Sequence, residues 1–113
     1  MKVGIIGLGR MGEGMARRML KAGIEVHGYR NNYKKAEEQF EAGYISGCAT
    51  SIQYLVEEVH RNQHTGETPG VFMMVVPAET VEDTINELLQ HCVEGDIIID
   101  HGNSNFKDSR RRA

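Results

Sequence analysis

The sequence predicts an α/β fold, a doubly wound parallel sheet with helices on both faces, built as a single domain. Short apolar runs rich in β-branched residues alternate with amphipathic helical stretches along the whole chain. A glycine-rich turn, Gly7 to Gly12, joins the first such run directly to the first helical stretch. The chain of 113 residues has room for one core and not for two, because single domains typically occupy about 50–200 residues.

The first strand is Lys2 to Ile6, which runs straight into Gly7. A helix follows, with Met11, Met15 and Met19 recurring every fourth residue beside Ala16 and Leu20, and Gly23 at its C-terminal cap. That methionine stripe reads as core packing, with Met11 also close enough to the glycine turn to touch a ligand. Glu25 to Tyr29 is the second strand, and Tyr33 to Ala42 a helix closed by Gly43. Its charges Lys34, Lys35, Glu37, Glu38 and Glu41 read as an exposed face with local ion pairs. Tyr44 and Ile45 form a brief third strand. Ser51 is an N-cap for a helix that buries Ile52, Leu55, Val56 and Val59, and a polar surface loop runs from Asn62 to Gly70. Val71 to Val76 is continuously apolar, as a central strand covered on both faces requires, and Pro77 ends it. Glu79 or Thr80 begins a helix whose buried stripe is Val81, Ile85, Leu88 and Leu89. Gly95-Asp96 then turns the chain into a last strand, Ile97 to Asp100.

Composition narrows the function. Apolar residues make up 40% and charged residues 26%, the balance of a folded soluble domain rather than a disordered one. A formal net charge of −3 argues against a nucleic-acid partner, which would call for a basic face. Arg110, Arg111 and Arg112 are the only dense basic run and read as a helix surface. No stretch approaches the roughly 20 apolar residues of a membrane span, and the N-terminus lacks a signal-peptide pattern. Cys48 and Cys92, far apart and with neither CxxC spacing nor a His placed to suggest a zinc site, read as buried free thiols in a reducing cytoplasm. His27, His60, His64 and His91 show no metal spacing, and no metal site is expected.

The hexad Gly7-Leu8-Gly9-Arg10-Met11-Gly12 carries the first functional reading. Gly7 permits the tight turn, Gly9 lets a pyrophosphate approach the backbone, and Gly12 lets the helix pack closely on the sheet. The phosphates would face unpaired N–H groups at a helix N-terminus. The motif follows a strand and opens an amphipathic helix in a βαβ unit, so the domain is expected to be a Rossmann-type dinucleotide-binding domain. The second strand ends in Tyr29-Arg30-Asn31-Asn32, with no carboxylate for a ribose hydroxyl. Arg30, with Lys34 and Lys35 nearby, suits a ribose phosphate, which predicts NADP as the cofactor. If Arg30 only stacks on the adenine, NAD binds as well.

A second polar turn, Asp100-His101-Gly102-Asn103-Ser104, follows the last strand, where open α/β sheets place ligands. Asn103 and Ser104 can hydrogen-bond a hydroxylated or phosphorylated substrate. With GIIGLGRMG at the start, MMVVPAE after the fourth strand and GDIIIDHGNSNFKDSRRR at the end, the whole chain resembles the 6-phosphogluconate dehydrogenase family. The last segment is the most specific; the others are shared with wider 3-hydroxyacid dehydrogenase relatives. His101 stands where the family has the first glycine of a pair, and Arg30-Asn31 reverses its usual order.

The resemblance implies that the full enzyme oxidises 6-phosphogluconate at its 3-hydroxyl, passes hydride to NADP and loses carbon dioxide to give ribulose 5-phosphate, a pentose phosphate pathway step. It implies that Gly102, Asn103 and Ser104 contact this sugar-acid phosphate, and that Val76, Pro77 and Ala78 border the nicotinamide, with Asn103 near both. It also implies that the lysine base and glutamate acid lie beyond these residues, in the next helix and a helical second domain that forms the dimer. Residues 1–113 are thus expected to be an incomplete NAD(P)-binding domain, with no catalytic residue and weak dinucleotide binding. Two alternatives stay open. A 3-hydroxyisobutyrate-type dehydrogenase is disfavoured by the Asn-Ser turn and the downstream Asp-Ser-Arg-Arg. A non-catalytic nucleotide-sensing module would be favoured by a gene that stops after Ala113.

Overall fold

The computed structural model describes residues 2–61 and 70–100, so the polar stretch 62–69 and the second polar turn after Asp100 lie outside the described residues. The described chain is a five-stranded parallel sheet, β1 (Lys2–Ile6), β2 (Glu25–Tyr29), β3 (Gly47–Cys48), β4 (Val71–Met74) and β5 (Ile97–Asp100). The strand order is β3-β2-β1-β4-β5. Between them run α1 (Arg10–Lys21), α2 (Tyr33–Glu41), α3 (Ile52–His60) and α4 (Val81–His91). β1 therefore sits centrally, paired to β2 on one side and β4 on the other, and strand order reverses there. Open sheets bind ligands at the carboxyl ends of strands beside such a reversal.

The strands sort their side chains by alternation. Val3 and Ile5 of β1 point to the face covered by α1 and α2, where they pack with Leu8, Met15, Ala16, Val26, Ala36 and Ile45. Ile6 points to the other face, where Phe72, Met74 and Ile98 meet Leu55, Val59, Ile85 and Leu88 of α3 and α4. Phe72 is fully buried, and burying such a side chain is worth about 1.5–3 kcal/mol. The helix boundaries have local causes. Ser51 caps α3 by accepting from Tyr54 N–H at 3.0 Å, as its position predicts, and Gly23 takes the left-handed φ of 86° after α1.

Five sequence expectations are corrected. The third strand is Gly47–Cys48, not Tyr44-Ile45: Ile45 is buried in the core beside β2, and it is Gly47 and Cys48 that pair with His27 and Gly28. β4 ends at Met74 rather than Val76; Val75 N–H still donates to Ile6 O at 2.8 Å, after which the chain leaves the sheet. Met11 is 54% exposed and packs in neither core; in the first turn of α1 it is Gly12 that is buried against the sheet. Both cysteines are free but half-buried rather than fully enclosed. On α2, Lys34, Lys35, Glu37, Glu38 and Glu41 are exposed as expected, yet none of them forms an ion pair among the described residues.

The amino ends of the strands are tied by charge. Asp96, 6% exposed, accepts from Gly70 N–H and Val93 N–H at 2.9 Å each and lies 3.0 Å from His60 Nε2. One carboxylate thus joins the end of α3, the start of β4 and the turn into β5. His27 is likewise buried, with Nε2 2.6 Å from Glu25 Oε2.

Candidate functional site

At the carboxyl end of β1, Gly7 adopts a φ of 99° and its N–H donates to Tyr29 O at 2.9 Å. A side chain there would meet Val75 O. Leu8, 1% exposed, turns inward over β2, and Gly28 makes the room: a Cβ at 28 would lie 2.5 Å from Leu8 Cδ1. Leu8 therefore offers a ligand only its main chain. Gly9 precedes α1 and has open space where a Cβ would stand, as close approach to the backbone requires. A Cβ on Gly12 would run into Gly7 O, so the helix can sit this near the turn only with glycine there.

The N-terminus of α1 is left ready for an anion. Gly9 provides no side-chain cap, and the first bond of this end that closes on the turn is Glu13 N–H to Gly9 O at 2.8 Å. The N–H groups of Arg10, Met11 and Gly12 have no acceptor among the described residues. Such orphan donors, with the helix dipole behind them, favour a phosphate. This is the geometry a dinucleotide pyrophosphate needs, and the chain's residues fit that group.

A cavity of about 510 Å³ opens beside this turn, within the usual range for small-molecule sites. Its walls bring together Gly7, Leu8 and Gly9 with Arg30 and Asn31 after β2 and Val76 and Pro77 after β4. Of the residues singled out from sequence, Arg10, Met11, Gly12 and Ala78 do not line it; Ala78 opens a single 3-10 turn, Ala78–Thr80. Nor do Lys34 and Lys35, which are exposed on α2. Gly102, Asn103 and Ser104 lie outside the described residues.

Arg30 is half-buried and forms no ion pair with a carboxylate among the described residues. Its Nη1 donates to Leu8 O at 3.0 Å and, at 3.4 Å, to Oε1 of Gln39. Asn31 accepts from the Tyr29 hydroxyl at 3.3 Å, and Asn32 caps α2 by accepting from Lys35 N–H at 3.2 Å. The β2 end thus presents a guanidinium and amides, and no carboxylate.

Two features escaped the sequence. Thr80, Asp83, Thr84 and Glu87 also line the cavity, bringing two carboxylates to the α4 wall. Their spacing of three, four and seven residues marks one helix face, a signal that was present but indistinguishable from a solvated surface. Gln39 left no signal at all, since it stands in a polar, charged helix and only the fold buries it.

Comparison with known proteins agrees with this geometry. Residues 2–113 match the family described as the NAD binding domain of 6-phosphogluconate dehydrogenase. The chain is 34% identical over 113 residues to the NAD(+)-dependent, decarboxylating 6-phosphogluconate dehydrogenase of Haloferax volcanii, covering 100% of this chain and 35% of that protein. It is 35% identical over 112 residues to the NADP(+)-dependent, decarboxylating enzyme of Bacillus subtilis, covering 98% of this chain and 23% of that protein. With the decarboxylating enzyme of Haemophilus influenzae it shares 37% over 111 residues, 97% of this chain and 22% of that protein. The chain therefore spans between about a fifth and about a third of these relatives.

Solved structures share the fold. Prephenate dehydrogenase from A. aeolicus, in complex with hydroxyphenyl propionate and NAD+, superposes with a TM-score of 0.77 at 23% identity, covering 94% of this chain and 35% of that one. Mycobacterium tuberculosis 3-hydroxyisobutyrate dehydrogenase gives 0.74 at 21% identity, covering 98% and 34%. The parallel sheet, the glycine turn and the family match together make this chain a member of the family of NAD-binding domains of 6-phosphogluconate dehydrogenase.

Proposed function

We propose that this chain is the cofactor-binding part of an NADP-preferring 6-phosphogluconate dehydrogenase, which oxidises the sugar acid at its 3-hydroxyl and releases carbon dioxide and ribulose 5-phosphate. The observation that carries the cofactor assignment is Arg30, a guanidinium with no carboxylate partner among the described residues, at the end of β2 and on the wall of the cavity beside the α1 N-terminus. NADP carries a phosphate on the adenosine ribose where NAD has a hydroxyl. A carboxylate after β2 would repel that phosphate, and an arginine attracts it. The relatives carry both cofactor names, so the preference rests on this chain's own residues.

In this reading Gly7, Leu8 and Gly9 give main chain to the cofactor and the first N–H groups of α1, at Arg10, Met11 and Gly12, hold its pyrophosphate. Arg30 and Asn31 take the ribose phosphate, and Val76, Pro77 and Ala78 border the nicotinamide. Asn103 reaches cofactor and substrate, with Gly102 and Ser104 on the sugar acid. Hydride acceptance is the chemistry that the bound cofactor supplies; the chain's residues bind and orient it. Proton transfer falls to groups outside residues 1–113, an incomplete unit of a larger cytoplasmic homo-oligomer acting in the pentose phosphate pathway.

Calorimetric titration of the chain with NADP and NAD at one salt concentration tests the cofactor assignment. Tighter NADP binding is expected, and Arg30→Asp should abolish or invert the preference. An unchanged NADP:NAD ratio in that variant would refute it.

A further inference from the structure

Gln39 is 9% exposed, and its side-chain amide reaches three groups of the site. Its Nε2 donates to Leu8 O at 2.8 Å and to Glu13 Oε1 at 2.9 Å, while its Oε1 accepts from Arg30 Nη1 at 3.4 Å. Two acceptors face the nitrogen and one donor faces the oxygen, so the pattern admits only one amide orientation. Leu8 O in turn receives two donors, Gln39 and Arg30. One carbonyl of the glycine turn, one residue of α1 and the residue that follows β2 meet at this amide of α2.

We infer that Gln39 is a positioning residue for cofactor selection, holding Arg30 by Nη1 so that its remaining edge faces a ribose phosphate; the inference rests on the Arg30 reading above. A guanidinium has five N–H donors in a rigid plane. With Nη1 engaged by Leu8 O and Gln39 Oε1, the Nε and Nη2 donors stay together as one two-pronged edge, and no described residue accepts from them. Such an edge matches two oxygens of a phosphate. The amide fixes the turn as well. The Leu8–Gly9 peptide is planar and trans, so pinning Leu8 O toward Gln39 sends Gly9 N–H to the opposite side. Glu13 completes the device by accepting the second Nε2 hydrogen, which stops the amide from swinging away from Leu8 O.

Affinities of the 113-residue chain for NADPH and NADH, measured by calorimetry at constant salt, give the test. Gln39→Met keeps the volume and removes all three bonds. The NADPH:NADH affinity ratio should fall about tenfold, the worth of one charge-assisted hydrogen bond. Gln39→Glu places a carboxylate against Arg30 and should lower the ratio at least as far, with circular dichroism of both variants unchanged. A merely structural glutamine would weaken both cofactors together and leave the ratio alone, and that result in either folded variant overturns the inference. Arg30→Asp, measured alongside, separates the two claims. If it leaves the ratio unchanged, the Arg30 reading fails and takes this one with it. If it collapses the ratio while Gln39→Met does not, the positioning role alone is refuted.

Discussion

Two glycines in the first turns of α1 allow one substitution to be tested against itself. Gly12 and Gly14 are both helical, and alanine is favoured over glycine in a helix interior by about 0.8–1 kcal/mol. At Gly14 nothing lies within 4 Å of an added Cβ. Gly14→Ala should therefore keep most of that gain and raise the melting temperature by about 3–4 °C, at roughly 4 °C per kcal/mol for a domain of this size. At Gly12 the added Cβ would meet Gly7 O, and both partners are backbone, so no side chain can swing aside. The helix or the turn must move. Overpacking of this kind costs about 1–3 kcal/mol; the propensity gain offsets about 1 kcal/mol of it, so Gly12→Ala should lose up to about 2 kcal/mol net and melt up to about 8 °C lower than wild type. The displaced α1 N-terminus should also weaken NADPH binding, which Gly14→Ala should not. Thermal denaturation followed by circular dichroism, with a cofactor titration of each variant, reads both effects. A Gly12→Ala chain as stable as Gly14→Ala, binding NADPH like wild type, would refute the close-packing argument.

Other consequences are open to simple measurements. Asp96→Asn turns an amide nitrogen toward either Gly70 N–H or Val93 N–H, leaving one of these donors unmet, and should cost about 1–3 kcal/mol in urea denaturation; a loss well under 1 kcal/mol would contradict the hub at the strand amino ends. Burial, reinforced by the nearby Asp96 charge, pushes the Cys92 thiol up to about 12. At pH 8 its thiolate fraction is about 10⁻⁴, so iodoacetamide should label Cys92 far more slowly in the folded chain than in urea, and equal rates would show the thiol is not shielded. The hydrogen bond from His27 holds the Glu25 carboxyl below its usual 4.5. A depressed folded value means the stabilisation is fully present above 4.5 and is lost as pH falls through the folded value. The melting-temperature gap between wild type and Glu25→Gln should narrow on acidification from about pH 6 to pH 3, and a gap that widens would reverse the sign.

The parts of this fold that were legible from sequence are those with local causes. The 3.6-residue stripe Ile52, Leu55, Val56 and Val59 behind a serine cap defines α3, and the glycine hexad fixes where β1 ends and α1 begins. What was hidden depends on partners distant in the chain. Apolar content pointed to Tyr44-Ile45 as the edge strand, but Ile45 serves the core while the pairing falls on Gly47, where a Cβ would stand 2.8 Å from His27 Nδ1. β propensity would never select glycine; steric room beside a buried histidine does. The apolar run through Val76 overstated β4, since its last residues leave the ladder to border the cavity. Arg30 was visible as a cation after β2, but its tether through Gln39 needed α2 folded back against the turn, 31 residues from Leu8. The α4 wall at Asp83 and Glu87 was visible only as a polar stripe, because a stripe that faces a cavity and one that faces water share the same period.

The fit of Leu8 into the space left by Gly28 also bears on how this domain can exchange parts with its relatives. The two positions share one volume, so their sizes must vary in opposite directions: a larger residue at 28 requires a smaller one at 8. Grafting β2 and α2 from another dehydrogenase would import a new residue at 28 while leaving Leu8 in place. Chimeras made to alter cofactor choice should therefore succeed when positions 8 and 28 travel together, and should fail to fold when a bulky residue at 28 meets Leu8, however well the selector after β2 is chosen.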